Sequence, residues 1–201
     1  MNTLGQIFTL SFSLFLLMDS IGNLPIFLSL LKDVPPKRQR MIIFRELLIA
    51  LGIIILFNLV GEFLLSFIGV DHQTVMIAGG IILFLIALKM IFPSKKNGDS
   101  EMPREKDPFI VPLAVPLVAG PAVLAAVILY SHQTTYFISI TAIIIAWVVS
   151  TIILLCSSAL KNLLGPKGIS ACERLMGLIL ILIAIQMFLG GLSIFMQQNI
   201  R

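Results

Sequence analysis

Asp19 is the residue of this chain that packing alone explains least well. It lies midway through an apolar stretch, in the run Met18-Asp-Ser-Ile-Gly-Asn-Leu-Pro-Ile-Phe27. A carboxylate at the centre of a bilayer costs roughly 2.5 to 3.5 kcal/mol unless it meets water, a partner or a ligand. Three residues on, Gly22 permits backbone angles closed to other residues. Pro25 lacks an N–H and suits the first turn of a new helix. Asn23 is a good N-cap just before it. Together these residues predict helix, break, helix, with the restart near Asn23, and Ser20 lies inside the break.

A second such run is Val111-Pro-Leu-Ala-Val-Pro-Leu-Val-Ala-Gly-Pro-Ala122. Pro112, Pro116 and Pro121 loosen it, and Gly120-Pro121 places proline at the start of a clean apolar helix running to Tyr130. Each restart frees backbone N–H groups at the positive end of a helix dipole, worth roughly half a charge. Two such ends would hold a carboxylate or another small anion. Asp19 and the carbonyls freed before each break would hold an ammonium group, a sodium ion or a proton. A zwitterion satisfies both. The candidate binding residues are therefore Asp19, Ser20, Gly22, Asn23, Pro25, Pro116, Gly120 and Pro121.

The elements that position these residues are membrane helices. Of 201 residues, 58% are hydrophobic and only 12% are charged, and mean hydropathy is +1.06. Soluble domains carry roughly a quarter charged residues. Six apolar stretches can be marked: Gln6 to Leu31, Leu47 to Ile68, Val75 to Phe92, Phe109 to Tyr130, Phe137 to Leu160 and Leu175 to Met196. Each approaches the roughly 20 residues that a spanning helix needs. Open strands are excluded, because a sheet edge in lipid leaves backbone groups unpaired. The expected fold is all-α, with six transmembrane helices of which the first and fourth are broken.

Charge gives the orientation. Of the fourteen Lys and Arg residues, all but Arg201 flank the first, third and fifth loops; the second and fourth hold only Asp71, His72 and His132. By the positive-inside rule the odd loops face the cytoplasm and both termini face the periplasm. The formal net charge of +4 is thus an orientation signal, and no basic residues interleave with exposed aromatics as nucleic-acid binding would require.

The two halves resemble each other. Gly80-Ile-Ile-Leu-Phe-Leu-Ile-Ala-Leu-Lys-Met90 recurs as Gly177-Leu-Ile-Leu-Ile-Leu-Ile-Ala-Ile-Gln-Met187 at an offset of 97, and Gly22 answers Gly120 at 98. Residues 1–93 and 108–201 read as three-helix repeats joined by a polar cytoplasmic linker, 94–107. Three is odd, so the second repeat enters from the opposite side, giving inverted topology. Other polar residues have blander roles: Asn58 and Glu62 on the second helix, with Glu62 at the interface; Gln186 bonding a neighbour; Arg45 pairing with Glu46. Trp147 is expected to pack, and Gly79-Gly80 and Gly190-Gly191 to bring helices close.

The pairing of Asp19-Ser-Ile-Gly-Asn-Leu-Pro25 with Pro112-Leu-Ala-Val-Pro-Leu-Val-Ala-Gly-Pro121 resembles the MarC family of bacterial inner-membrane proteins. The resemblance covers the whole chain, through signatures of the form DPxGNxP and PLxxPLxxGPG. Ser20 stands where that family usually has proline, and Ala122 where it has a second glycine. The resemblance implies transport without fixing a substrate: some relatives are similar to neutral amino-acid transporters, and the wider group includes lysine exporters.

The expected function is secondary transport of a small solute, a neutral amino acid, across a bacterial inner membrane. The alternative is a non-transporting scaffold or stress-response accessory. An enzyme is not expected, since HExxH and GxSG are absent and Asp19 has no second intramembrane aspartate. No Walker motif is present. Cys156 and Cys172 form neither CxxC nor metal spacing, so no metal and no cofactor is expected. Expected partners are the lipid bilayer and a small-molecule substrate with a coupled proton or sodium ion. Monomer and homo-oligomer stand equally open.

Overall fold

The computed structural model describes residues 3–31, 34–92 and 118–199, and among these it is all helix and turn with no strand. Seven helices follow in order: α1 (Thr3–Met18), α2 (Leu24–Leu30), α3 (Pro36–Ile68), α4 (His72–Ile91), α5 (Pro121–Gln133), α6 (Tyr136–Leu155) and α7 (Ser157–Asn199). Residues 37–68, 72–91, 136–155 and 167–197 are each long and apolar enough to cross a membrane unaided, whereas α1 and α5 are shorter apolar helices. The linker, Pro112 and Pro116 lie outside the described residues.

Helix ends and membrane ends do not coincide. The second apolar stretch begins at Leu47, but α3 begins eleven residues earlier, on Pro36 at its first turn. The basic cluster Lys37, Arg38, Arg40 and Arg45 therefore rides on a helix, not in a loop. Charged side chains end a hydropathic run without ending a helix, because Lys and Arg are good helix formers. The fifth stretch departs similarly. After a kink at Cys156 the helix resumes, and the true interruption is Gly165, left-handed at φ +63°. Its counterpart is Gly69, which ends α3 at φ +75° while its N–H bonds back onto the last turn.

Large apolar side chains face outward over much of the surface: Leu4, Phe8, Phe63, Phe67, Leu85, Ile152 and Leu182 are each more than half exposed. In water such a surface would aggregate; in lipid it is the solvent-facing side. The interior joins every element, with Leu14, Leu24, Phe27, Leu47, Ile54, Ala87, Val127, Ile143 and Leu180 buried together.

The broadest helix contact is between α4 and α7; α6 packs on α1 and on α3, and α5 packs on α3 and on α4. Glycines set the α4–α7 distance. A β-carbon on Gly80 would stand 2.8 Å from the Ala184 carbonyl oxygen and 3.0 Å from the Phe188 nitrogen. On Gly177 it would stand 3.2 Å from the Ala87 oxygen and 2.9 Å from Ile91 Cγ1, and on Gly191 2.8 Å from the Gln73 oxygen. Contacts climb α4 as they descend α7, so the two run antiparallel. The close approach expected of the paired glycines is present. Lipid offers no hydrophobic drive between helices, so this backbone contact is what holds them.

Polar side chains tie the remaining helices. Asn58 donates to Ser139 Oγ of α6 and, at 3.3 Å, to the Val127 carbonyl of α5. Trp147 does more than pack: its Nε1 donates to the Leu47 carbonyl at 2.7 Å.

Candidate functional site

The first apolar stretch is broken where expected. α1 ends at Met18 and α2 begins at Leu24. The residue that turns the chain differs from the expectation. Gly22 keeps a negative φ, and Asp19 takes the left-handed angle, φ +45°. Aspartate tolerates this region better than most residues because its short side chain bonds locally. Here Asp19 Oδ1 accepts from the Gly22 N–H at 3.1 Å, and the Asp19 carbonyl accepts from the Asn23 N–H at 3.0 Å.

Gly22 is required for space instead. A β-carbon there would collide with Met90 Cε and with both Asp19 carboxylate oxygens. Asn23 stands at the N-cap position, its carbonyl accepting from the Phe27 N–H at 3.1 Å. Its side-chain amide reaches backward and donates to the Met18 carbonyl at 3.2 Å. It thus also satisfies an otherwise unpaired carbonyl at the end of α1. Asp19 and Asn23 are buried at 7% exposure each, and Ser20 at 1%. These values place the break inside the bundle and away from lipid.

Of the second expected break, only the residues from Val118 onward are described. Gly120 is the N-cap of α5, in extended backbone, and Pro121 is the first helical residue. Glycine has no side chain with which to cap. The next N–H groups, on Ala122 and Val123, have no carbonyl four residues back within the helix.

One cavity of about 350 Å³ joins the two breaks; Asp19, Gly22 and Asn23 line it from the first half, and Gly120, Pro121, Ala122 and Val123 from the second. Five of the eight candidate residues are therefore brought together. Pro25 is half-buried in the first turn of α2, and neither it nor Ser20 is among the lining residues. Pro116 falls outside the described residues. The other walls come from α4 and α7, through Leu83, Ile86, Lys89, Met90, Glu173 and Leu180.

Lys89 and Glu173 escape the sequence reading. Lys89 counts there as one more orientation charge, and Glu173 sits beside Arg174 near the fifth loop. Neither occupies a motif, and 84 residues separate them; only the α4–α7 contact brings both to one wall. Asp19 and Glu173 line the same cavity. The cavity thus holds two carboxylates, one ammonium group and the N-terminus of α5 in otherwise apolar walls. Sites of this size hold small molecules, with a few polar groups fixing orientation. Among the described residues no cluster of His, Cys, Asp and Glu could hold a metal ion.

A polytopic helical bundle with a large apolar outer surface defines an integral membrane protein. A family model described as MarC family integral membrane protein matches residues 4–196. The chain belongs to the MarC family. It is 50% identical over 196 residues to the UPF0056 inner membrane protein YhgN of Escherichia coli K12, covering 96% of this chain and 100% of that one. It is 48% identical over 189 residues to the UPF0056 membrane protein BU449 of Buchnera aphidicola from Acyrthosiphon pisum, covering 93% and 96%. A UPF0056 membrane protein of Chlamydia pneumoniae is 39% identical over 190 residues, covering 92% and 93%. No solved structure matches the chain.

Proposed function

We propose that the protein is a secondary transporter of a small zwitterionic solute, a neutral amino acid, and that the cavity between the breaks is its binding site. The observation that carries the proposal is the joint lining of one cavity by Asp19, Gly22 and Asn23 with Gly120 and Pro121. Lys89 and the first N–H groups of α5 suit a carboxylate; Asp19 and Glu173 suit an ammonium group. α2 has only seven residues, so its dipole is the weaker of the two. The α5 end and Lys89 are the main anion-binding groups.

Inverted repeats are supported by a reciprocal contact pattern. Gly80 meets Ala184 and Phe188, while Gly177 meets Ala87 and Ile91. Adding 97 to the α4 residues, and subtracting it from the α7 residues, turns one set into the other. In the same way α1 packs on α6 as α5 packs on α3. Such exchange is what a pseudo-two-fold axis between antiparallel halves produces. Rocking of one half against the other would open the cavity to alternate sides. The Escherichia coli relative is named an inner membrane protein, and the same location is proposed here, with both termini periplasmic.

Reconstituted protein should give saturable flux of labelled alanine, glycine or serine into proteoliposomes. Asp19→Ala and Gly120→Leu should each lower it at least tenfold, the loss of about 1.4 kcal/mol of binding. Flux equal to that of the unmodified protein in both variants would overturn the proposal.

A further inference from the structure

Glu46 lies on the buried stripe of α3 with Ile43, Leu47, Ala50 and Ile54, and its side chain has no exposure to solvent. The expected pairing with Arg45 exists, but it is lopsided. Arg45 Nη2 and Nε both donate to Glu46 Oε1, at 2.8 and 3.1 Å. Oε2 is buried and has no partner among the described residues. Arg45 is itself 54% exposed, so its guanidinium can leave for solvent. A carboxylate buried inside a membrane bundle with one oxygen unused is costly, and such residues mark ion and proton sites.

Two further orphaned oxygens lie on elements that pack around this part of α3 or adjoin them. The Trp147 bond fixes α6 beside Leu47, the residue after Glu46. One helical turn from Trp147 is Thr151, whose Oγ1 is buried and unpartnered among the described residues. Its neighbour Ser150 donates to Met18 Sδ at 3.5 Å, fixing α6 against the end of α1. Two residues beyond Met18 is Ser20, whose Oγ is likewise buried and unpartnered. Where α6 bridges α1 and α3, then, one carboxylate oxygen and two hydroxyls have unused bonding capacity. None of these residues lines the cavity described above.

We propose that Glu46, assisted by Thr151 and Ser20, is a second buried site that binds a small monovalent metal cation, a sodium ion. The cation neutralises the carboxylate in place of Arg45. Because Ser20 sits inside the α1–α2 break, occupancy of this site bears on the geometry of Asp19 and Asn23. That coupling rests on the transport reading; cation binding itself does not. The electrostatics are simple. α6 carries no charged residue, and α5 carries only His132 near its far end. On α3 the other charges are Lys37, Arg38 and Arg40 near its start and Glu62 four turns on.

The test uses the full-length protein in detergent, comparing unmodified chain with Glu46→Gln and Thr151→Val. Unfolding temperature is followed against sodium chloride, with choline chloride holding ionic strength constant. A sodium-dependent rise of several degrees, absent in Glu46→Gln and needing several-fold more sodium in Thr151→Val, identifies a sodium site. Thr151→Val leaves both charges in place and guards against a misfolded Glu46→Gln. Identical sodium responses in all three proteins, or no response in any, would overturn the proposal, whatever the flux measurements show.

Discussion

Gly80→Leu is expected to leave little folded protein in the membrane. The atoms its side chain would meet are backbone, the Ala184 oxygen and the Phe188 nitrogen, and backbone inside a packed helix cannot swing aside. Overpacking usually costs 1 to 3 kcal/mol where side chains can adjust. Here the whole of α7 must retreat along the broadest contact in the bundle, so a cost of about 3 kcal/mol or more is expected. For a chain of this size that lowers the unfolding temperature by about 10 °C. Gly177→Leu should cost less, because its nearest obstacle is the movable side chain of Ile91. Gly52→Ala, with nothing within 4 Å of the new carbon, should be neutral or stabilise by about 0.5 to 1 kcal/mol, since alanine favours helix interiors. Thermal unfolding of the three purified variants checks the order. A Gly80→Leu protein as stable as the Gly52→Ala control would mean that α4 and α7 do not meet as described.

The second large effect is on binding rather than folding. Gly22→Val places methyl groups where Met90 Cε and the Asp19 carboxylate now stand. Met90 ends in a flexible thioether that can turn away, so the fold should survive. The Asp19 carboxylate is held by the Gly22 N–H and lines the cavity, so its displacement changes the site directly. Bound ligand stabilises the folded state by mass action. The rise in unfolding temperature that saturating alanine gives the unmodified protein should vanish in Gly22→Val, corresponding to at least a tenfold loss of affinity. An undiminished rise would separate Gly22 from the binding site.

The break after Met18 and the start of α5 at Pro121 were legible in the sequence because their causes are local. Proline lacks an N–H wherever it stands, and a Gly-Pro pair in an apolar run interrupts a helix with little help from tertiary structure. What glycine does at a break was less legible. Gly22 serves the approach of Met90 and Asp19, and no local rule distinguishes that role from a left-handed turn. The additional bond from Asn23 back to the Met18 carbonyl was likewise not legible, because it depends on how the chain leaves α1. Hydropathy located apolar stretches but misplaced helix ends at Pro36 and Gly165, because membrane boundary and helix boundary answer to different chemistry. Lys89, Glu173 and Glu46 were hidden for a deeper reason. Their positions, Glu46 buried, Glu173 half-buried and Lys89 exposed along a cavity wall, depend on contacts between helices distant in sequence, and a charged residue near a loop reads as solvated until those contacts are known.

The account turns on the two breaks facing each other across a space that a solute can occupy. The direct test replaces Cys156 and Cys172 with serine and introduces the pair Asn23→Cys and Pro121→Cys, then treats membranes with a short bifunctional maleimide. The thiols should become linked within a single chain, and saturating alanine should slow the reaction several-fold. Thiols that label singly but never link, or linkage at a rate indifferent to every small amino acid tried, would contradict it.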